Sequence, residues 1–344
     1  MNCSIIIPVF NRLDLTKDCL KSISEKTHNS YKIILIDNGS AEDTKIFLED
    51  FKSSNKDVVL VRNEDNLGWV KAVNQGLRLS VDPYVCVMNN DVIVKTDDWL
   101  AKLIRIAELE PDIGLVNPCF DIKKKLLQEG PFIEIDFCRG YCMLIKKAVI
   151  EKIGGLDEAY GLGYYDDDDY SVRAIRAGFR CVRANDVIVE HLRDSTFSSL
   201  FTDEKRRILH ENNKKLFYSK WGKRFKLVFI ITKDVNEEHI SGLLFSLARK
   251  QHIIYLWIFA RHPLLLQHIN IRELKFGRLF GSLPFFLALY INKIKKRAKR
   301  YNIVFTDNPG LSSVLSGHGY PVYYVDMGKD KYRINEIVDS EAKA

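Results

Sequence analysis

The chain has 344 residues, which is enough for two domains with a sizeable hydrophobic core. Hydrophobic residues make up 46% of it and charged residues 28%, a composition that is typical of a soluble globular protein and excludes a disordered or fibrous one. The net charge is +7, and no apolar run approaches the ~20 residues needed to span a bilayer.

The charge is unevenly distributed along the chain. Residues 1–225 carry 34 Lys+Arg and 35 Asp+Glu, a net of −1, whereas residues 226–344 carry 18 and 10, a net of +8. A difference of this size predicts two domains with different partners, which we place at residues 1–224 and 225–344.

The cysteines and the N-terminus indicate where the protein works. Seven cysteines are scattered along the chain, and no second close pair joins Cys138 and Cys142 to complete a zinc site. We interpret them as buried thiols in a reducing cytosol. The first ten residues look like a strand rather than a signal peptide, so a cytoplasmic protein is expected.

The first domain alternates strand and helix patterns, which predicts an α/β fold with a mostly parallel sheet and right-handed crossovers. The predicted strands are residues 4–9, 31–36, 58–62, 84–88, 113–117, 137–145 and 180–183. The predicted helices are residues 13–24, 44–53, 68–79, 98–110, 147–153, 166–177 and 201–221.

A second strand–helix series begins near residue 226 and predicts a smaller Rossmann-like α/β domain. Its predicted strands are residues 227–231, 253–260, 303–305 and 322–325, and its predicted helices are residues 237–249 and 310–316.

The buried strand at residues 84–88 ends in Asn89, Asn90 and Asp91. Ligands of open α/β sheets bind beyond the carboxyl ends of such strands, and a carboxylate flanked by amides suits a hard divalent cation. His191, at the end of another apolar strand, is a candidate second ligand. A polar strand cap and an ordinary core or surface histidine are the alternatives.

Two further segments are candidates for nucleotide binding. Pro8 to Asn11 and the run from Asp37 to Ser40 follow neighbouring strands, where a carboxylate can accept from a base N–H and a ribose hydroxyl, although ordinary turn chemistry also explains them. Asn66 or Gly68 caps a predicted helix whose N–H groups favour a diphosphate, and Lys71 adds a cation. A plain capped helix is the alternative there.

The acidic run from Asp166 to Asp169 is a candidate for acid–base chemistry. Asp169 and Arg173 are four residues apart on the predicted helix and can pair, which leaves Asp166 and Asp167 to face a cleft. Neighbouring carboxylates raise each other's proton affinity, which suits a general base, whereas a solvated acidic turn is the alternative.

Together these segments resemble inverting glycosyltransferases of family 2, which have the GT-A fold. The resemblance covers about residues 1–222, with its motifs in the family's order: SIIIPVFNR, IDNGSAEDT, NLGWVKAVNQG, MNND and GGLDEAYGLGYYDDDDYSVRAIRAG. It implies Asp37 on the base of the nucleotide and Asp167 as the catalytic base. It also implies Mg²⁺ or Mn²⁺ held by Asp91 and His191.

The same resemblance implies that the donor is bound by residues in the first four motifs: Pro8, Asn11, Asp37, Asn66, Gly68, Lys71, Asn89 and Asn90. Asn89 stands where the family has the first aspartate of its metal motif, and Asp166 stands where it usually has glutamate. Both are departures from the family's pattern.

The implied reaction is a single displacement at the anomeric carbon of a nucleotide sugar, with a UDP- or dTDP-sugar favoured. The expected acceptor is a hydroxyl of a cell-surface glycan or a lipid-linked acceptor, and no nucleic-acid partner is expected. A nucleotide-sugar-binding pseudoenzyme with a structural role is the main alternative, and Asn89 favours it. A nucleotidyltransferase is a weaker alternative, because PVFNRLDLT lacks the Gly-rich loop that such enzymes need.

The second domain resembles, more weakly, the N-terminal half of a GT-B glycosyltransferase, which implies acceptor docking, assembly or membrane contact rather than catalysis. An apolar run at residues 283–291 leads into six basic residues within 293–300. This composition predicts peripheral attachment to an anionic inner membrane surface. A crossover helix with its lysines in water is the alternative.

Overall fold

The computed structural model describes residues 2–120, 130–192, 202–259, 266–275, 300–317, 319 and 321–343. The chain forms two compact units, Met1–Lys220 and Trp221–Ala344, each with its own hydrophobic core. The division lies close to the boundary predicted after residue 224.

The first unit is built on a nine-stranded sheet. Its strands are β1 (Cys3–Val9), β2 (Tyr31–Asn38), β3 (Val58–Asn63), β4 (Tyr84–Met88), β5 (Val92–Val94), β6 (Ile113–Cys119), β7 (Phe132–Ile135), β8 (Cys142–Lys146) and β9 (Arg180–His191). They lie in the order β3-β2-β1-β4-β8-β6-β9-β5, with β7 also paired to β9. The strands β1 to β4 are parallel, whereas β8 runs antiparallel to β4 and β6.

Helices connect these strands. They span Leu13–Lys26, Glu42–Ser54, Trp69–Leu79, Trp99–Ala107, Lys147–Ile153, Asp166–Arg176 and Asp203–Trp221, with a short 3₁₀ turn at Glu158–Tyr160. Every residue of β1, β4 and β6 is buried, as expected for continuously apolar strands with both faces covered. The sheet therefore holds the polar ends of its central strands in fixed positions.

One predicted strand is shorter than its apolar pattern indicates. Residues 137–141 form a loop, and β8 begins only at Cys142. The side chain of Asn117 accepts from the backbone N–H of Arg139 and donates to the carbonyl oxygens of Arg139 and Cys142. These bonds satisfy backbone groups that a strand would pair with its neighbours, so the chain turns here. The pattern also missed the short strands β5 and β7.

The second unit is a five-stranded, fully parallel sheet. Its strands are β10 (Lys226–Ile231), β11 (Ile253–Ile258), β12 (Ile271–Lys275), β13 (Ile303–Thr306) and β14 (Val322–Tyr324), in the order β12-β11-β10-β13-β14. Helices Glu237–Arg249, Pro309–Ser316 and Lys331–Lys343 accompany them. The weak resemblance to half of a GT-B enzyme stays a prediction.

Within the part of the chain that the structure describes, no helix is long and apolar enough to cross a membrane. The apolar run at 283–291 and the basic residues 293–299, on which the membrane prediction depends, lie outside the described residues.

Candidate functional site

A cleft of about 650 Å³ opens in the first unit beyond the carboxyl end of β4. Its lining combines carboxylates, histidines and aromatic rings: Trp69, Asn89, Phe120, Arg139, Gly140, Tyr141, Gly163, Tyr164, Tyr165, Asp166, Asp167, Asp168, His191 and His210. The structure thus brings Asp167, Asn89 and His191, which are distant in sequence, to one cavity.

Asp167 lies on the first turn of the helix Asp166–Arg176 and is held by backbone amides. Its Oδ2 accepts from the N–H of Gly140 at 3.0 Å, and its Oδ1 accepts from the N–H of Asp168 at 2.9 Å. Both bonds fix the orientation of the carboxylate. A fixed, half-buried carboxylate in a cleft can accept a proton from a bound hydroxyl group.

The other members of the acidic run have separate partners. The indole N–H of Trp69 donates to Asp166 at 3.1 Å, Arg139 pairs with Asp168, and the predicted pair of Asp169 with Arg173 is confirmed at 2.8 Å. Burial, followed by the charge of Asp167, raises the pKa of Asp166 well above its ordinary value. The run is therefore a set of distinct groups rather than a solvated acidic turn.

Asp91 and His191 face each other at the end of β4. The antiparallel pairing of β5 with β9 sets Val92 opposite His191, which brings the imidazole beside the preceding residue, Asp91. His191 Nε2 lies 3.3 Å from Asp91 Oδ1 and 3.2 Å from Asn89 Nδ2, and the ring of Tyr141 stacks on the imidazole with centroids 5.1 Å apart.

This donor set fits a divalent cation that also binds a diphosphate. Within the described ranges, no group of three or more His, Cys, Asp or Glu side chains could hold a metal by itself. One carboxylate, one imidazole and one amide converge here, and Mg²⁺ is commonly held by one or two carboxylates together with substrate phosphates. The residues present are therefore compatible with the ion, provided that a ligand supplies the remaining oxygens.

Asp37 lies at the carboxyl end of β2, where its side chain is only 1% exposed. Its Oδ1 accepts from the N–H of Ser40 at 2.9 Å, and its Oδ2 accepts from Arg62 on β3, directly across the parallel ladder. The guanidinium also donates to the carbonyl oxygen of Ser40 at 3.0 Å. The carboxylate is thus held rigidly at the strand end.

Several predicted donor-binding side chains make internal hydrogen bonds. Asn11 Oδ1 accepts from the N–H of Ala41 at 2.7 Å, and Asn66 Oδ1 accepts from Asn38 at 2.7 Å and from the N–H of Gly68 at 2.9 Å. These bonds shape the loops at the ends of β1 and β3. The side chains of Asn11 and Asn66 therefore stabilise the conformation of these loops.

The remaining predicted residues differ in exposure. Pro8 is buried within β1, and Asn90 is buried with its amide donating to Thr16 at 2.9 Å. Lys71 is exposed on the first turn of the helix Trp69–Leu79 and lies outside the described lining of the cleft.

Some residues of the cleft escaped the sequence interpretation. Tyr164, Tyr165 and His210 belong to it, as does the loop from Arg139 to Tyr141. Trp69, which lies inside NLGWVKAVNQG, also lines the cleft. The aromatic residues before the acidic run offered a signal, whereas nothing local marked the loop, because Asn117 holds it from 22 positions away.

Comparisons with known proteins agree with this geometry. Residues 4–154 match the sequence model of the family described as Glycosyl transferase family 2. An uncharacterised glycosyltransferase of Haemophilus influenzae is 23% identical over 77% of this chain and 92% of its own length. A poly-β-1,6-N-acetyl-D-glucosamine synthase of Staphylococcus epidermidis is 26% identical over 45% of this chain and 42% of its own length.

Among solved structures, a mannosyltransferase of Pyrobaculum calidifontis in complex with GDP-Man and Mn²⁺ superposes with a TM-score of 0.52 at 18% identity, covering 63% of each chain. This likeness supports the fold alone. Other curated relatives are matched over 26% to 38% of their length, so the chain spans well under two thirds of them. The first unit of this chain has the GT-A fold, and residues 4–154 within it match the model of glycosyl transferase family 2.

Proposed function

We propose that the protein is an inverting glycosyltransferase that moves a sugar from a nucleoside-diphosphate sugar to a hydroxyl group of a glycan or lipid-linked acceptor. The observation that carries the proposal is Asp167, a carboxylate oriented by two backbone amides in a cleft that also contains His191 and Asn89. A UDP- or dTDP-sugar is the favoured donor. The synthase from Staphylococcus epidermidis, a polysaccharide-forming relative by its name, supports a glycan acceptor.

Asp167 would remove the proton of the acceptor hydroxyl group as its oxygen attacks the anomeric carbon. The bond from that carbon to the diphosphate oxygen breaks on the opposite face, the nucleoside diphosphate leaves with the electron pair, and the configuration inverts. The fixed carboxylate keeps the acceptor oxygen in line, and no covalent enzyme intermediate is required.

Asp91 and His191 would hold Mg²⁺ or Mn²⁺, which when bound neutralises charge on the leaving diphosphate. Asp37, locked by Arg62 and Ser40, would accept from the base of the nucleotide. The mannosyltransferase of similar fold is in complex with GDP-Man and Mn²⁺, and we propose the same classes of ligand for this chain by analogy.

The test is donor turnover and sugar transfer by the full chain with Mn²⁺ or Mg²⁺, using UDP-, dTDP- and GDP-sugars chosen by thermal shift. Asp167→Asn should bind the donor normally and lose transfer by about 10²–10⁴-fold, the usual contribution of a general base. Asp50→Asn, the same change at an exposed carboxylate, is the matched control.

Near-wild-type transfer by Asp167→Asn would move the base elsewhere in the acidic run. Tight donor binding without turnover of any donor by the wild type would instead support the nucleotide-sugar-binding pseudoenzyme.

A further inference from the structure

The five residues before the acidic helix form an unusual turn. Positive φ angles occur at Gly161 (61°), Gly163 (135°), Tyr164 (68°) and Tyr165 (67°). Glycine adopts such angles freely, but two adjacent tyrosines do not, because their Cβ atoms crowd the backbone. Residues kept in this conformation need support from the surrounding structure, and they cluster at functional sites.

Asn213 supplies that support from the helix Asp203–Trp221. Its side chain is 6% exposed, and its amide nitrogen lies 2.8 Å from the carbonyl oxygen of Tyr160, 2.7 Å from that of Gly163 and 3.2 Å from that of Tyr164. One buried amide therefore lies within hydrogen-bond distance of two carbonyl groups of the turn and of the carbonyl group just before it.

The same helix face also contacts the aromatic rings of the turn. His210 packs against Tyr164 and Tyr165 with ring centroids 5.5 Å and 5.3 Å apart, and the buried ring of Phe217 lies 5.4 Å from that of Tyr165. His210, Asn213 and Phe217 are three and four positions apart, so they form one stripe along the helix.

The turn connects directly to the proposed chemistry. The rings of Tyr164 and Tyr165 are half-buried and line the cleft beside Asp167, and the carbonyl oxygen of Tyr165 accepts from the N–H of Asp169 at 2.9 Å. The position of the two rings and the start of the acidic helix are therefore set together.

We propose that Asn213 is a positioning residue that fixes Tyr164 and Tyr165 as the acceptor wall of the cleft, against which a pyranose ring of the acceptor packs. The inference rests on the proposed function, because the acceptor is a substrate of the same site. The C–H face of a pyranose is apolar and suits an aromatic surface, while the hydroxyl groups at its edge reach the neighbouring carboxylates.

The positioning role is tested without activity, by hydrogen exchange of the full chain. Asn213→Ala should speed amide exchange in residues 161–169 by about tenfold, because the carbonyl groups of Tyr160, Gly163 and Tyr164 lose their hydrogen bonds from Asn213. Asn212→Ala, at the exposed neighbouring asparagine, should leave exchange unchanged. Unchanged exchange in Asn213→Ala would overturn the positioning role.

The consequence for substrate is tested with the p-nitrophenyl glycosides of glucose, galactose and N-acetylglucosamine as acceptor probes. Asn213→Ala should raise the acceptor KM about tenfold while binding of UDP with Mn²⁺ stays within about twofold of the wild type, a split that general destabilisation would not produce. A parallel loss of donor binding would indicate a structural role only, and so overturn the proposal.

Tyr164→Asn keeps the claim testable if Asn213→Ala does not fold. Asparagine tolerates positive φ, so the turn should persist without its ring, and the acceptor KM should rise with normal exchange. An unchanged acceptor KM would overturn the claim that the Tyr164 ring contacts the acceptor.

Two outcomes for the wild type separate this inference from the proposed function. A wild type that hydrolyses donors but uses no glycoside would overturn the pyranose acceptor. A wild type that neither binds nor hydrolyses donors would overturn the proposed function and leave the exchange result unaffected.

Discussion

Asp91 and His191 are the residues whose separate contributions can be measured most directly. Asp91 supplies the only negative charge of this pair, so Asp91→Ala should remove the effect of Mn²⁺ on UDP binding, a loss of about 100-fold or more, whereas His191→Ala should weaken binding by about tenfold. Calorimetric titration with UDP, with and without Mn²⁺, measures both.

Asp186→Ala, which removes an exposed carboxylate from the same strand as His191, is the control for that titration. A structure with UDP and Mn²⁺ in which His191 lies well beyond ~2.0–2.2 Å from the ion, the distance typical of zinc–imidazole bonds, would contradict the second half of the prediction.

At the scale of elements, the helix Trp69–Leu79 is attached to the sheet at Gly76. A Cβ atom there would lie 2.4 Å from Cγ2 of Ile6, a fully buried residue of β1. Gly76→Ala should therefore destabilise the first unit by about 1–3 kcal/mol, although alanine alone favours a helix by about 1 kcal/mol. Urea denaturation followed by tryptophan fluorescence measures the change.

Gly242→Ala, in the helix Glu237–Arg249, is the matched control. Within the described residues, a Cβ atom there would contact only Lys331 Nζ, at 3.8 Å. It should stabilise its unit by about 0.5–1 kcal/mol. Equal changes in the free energy of unfolding for the two variants would show that the contact with Ile6 does not destabilise Gly76→Ala.

The elements that sequence patterns predicted are those whose residues act locally. The strands β1 and β4 are buried along their whole length and predominantly apolar, and Asp169 pairs with Arg173 within one helical turn. The features that sequence patterns did not predict depend on hydrogen bonds between distant residues. Asn117 donates to carbonyl groups of Arg139 and Cys142, and Asn213 donates to a carbonyl group of the turn about 50 positions earlier. No window along the chain contains both partners of such a bond.

At the scale of the whole molecule, the second unit should be sensitive to acid. His252 is buried, its ring stacks on Phe225, and its Nδ1 accepts from the N–H of Phe225 at 3.2 Å. Burial, with a smaller effect of the Lys250 cation, lowers the pKa of His252 from 6.5 to about 4.

The unfolded chain binds a proton on this histidine below pH 6.5 and the folded unit does not, so stability falls as the pH decreases from 6.5 towards 4. The full loss is roughly 3 kcal/mol below the folded pKa. Urea denaturation between pH 7 and 4 should show a flatter profile for His252→Asn than for the wild type. His239→Asn, at an exposed histidine, should follow the wild type; identical profiles for all three proteins would rule out His252 as the cause.

The seven cysteines are all buried, and all lie in the first unit. Burial raises the pKa of Cys19 to about 12 and those of Cys3, Cys86 and Cys138 well above 9.0, so the reactive thiolate is scarce in the folded protein. Because all seven thiols are buried, we expect a thiol reagent to modify this chain when the first unit opens. The rate of thiol modification should therefore report the unfolding of the first unit. The second unit has no cysteine, so its unfolding should not contribute to that rate.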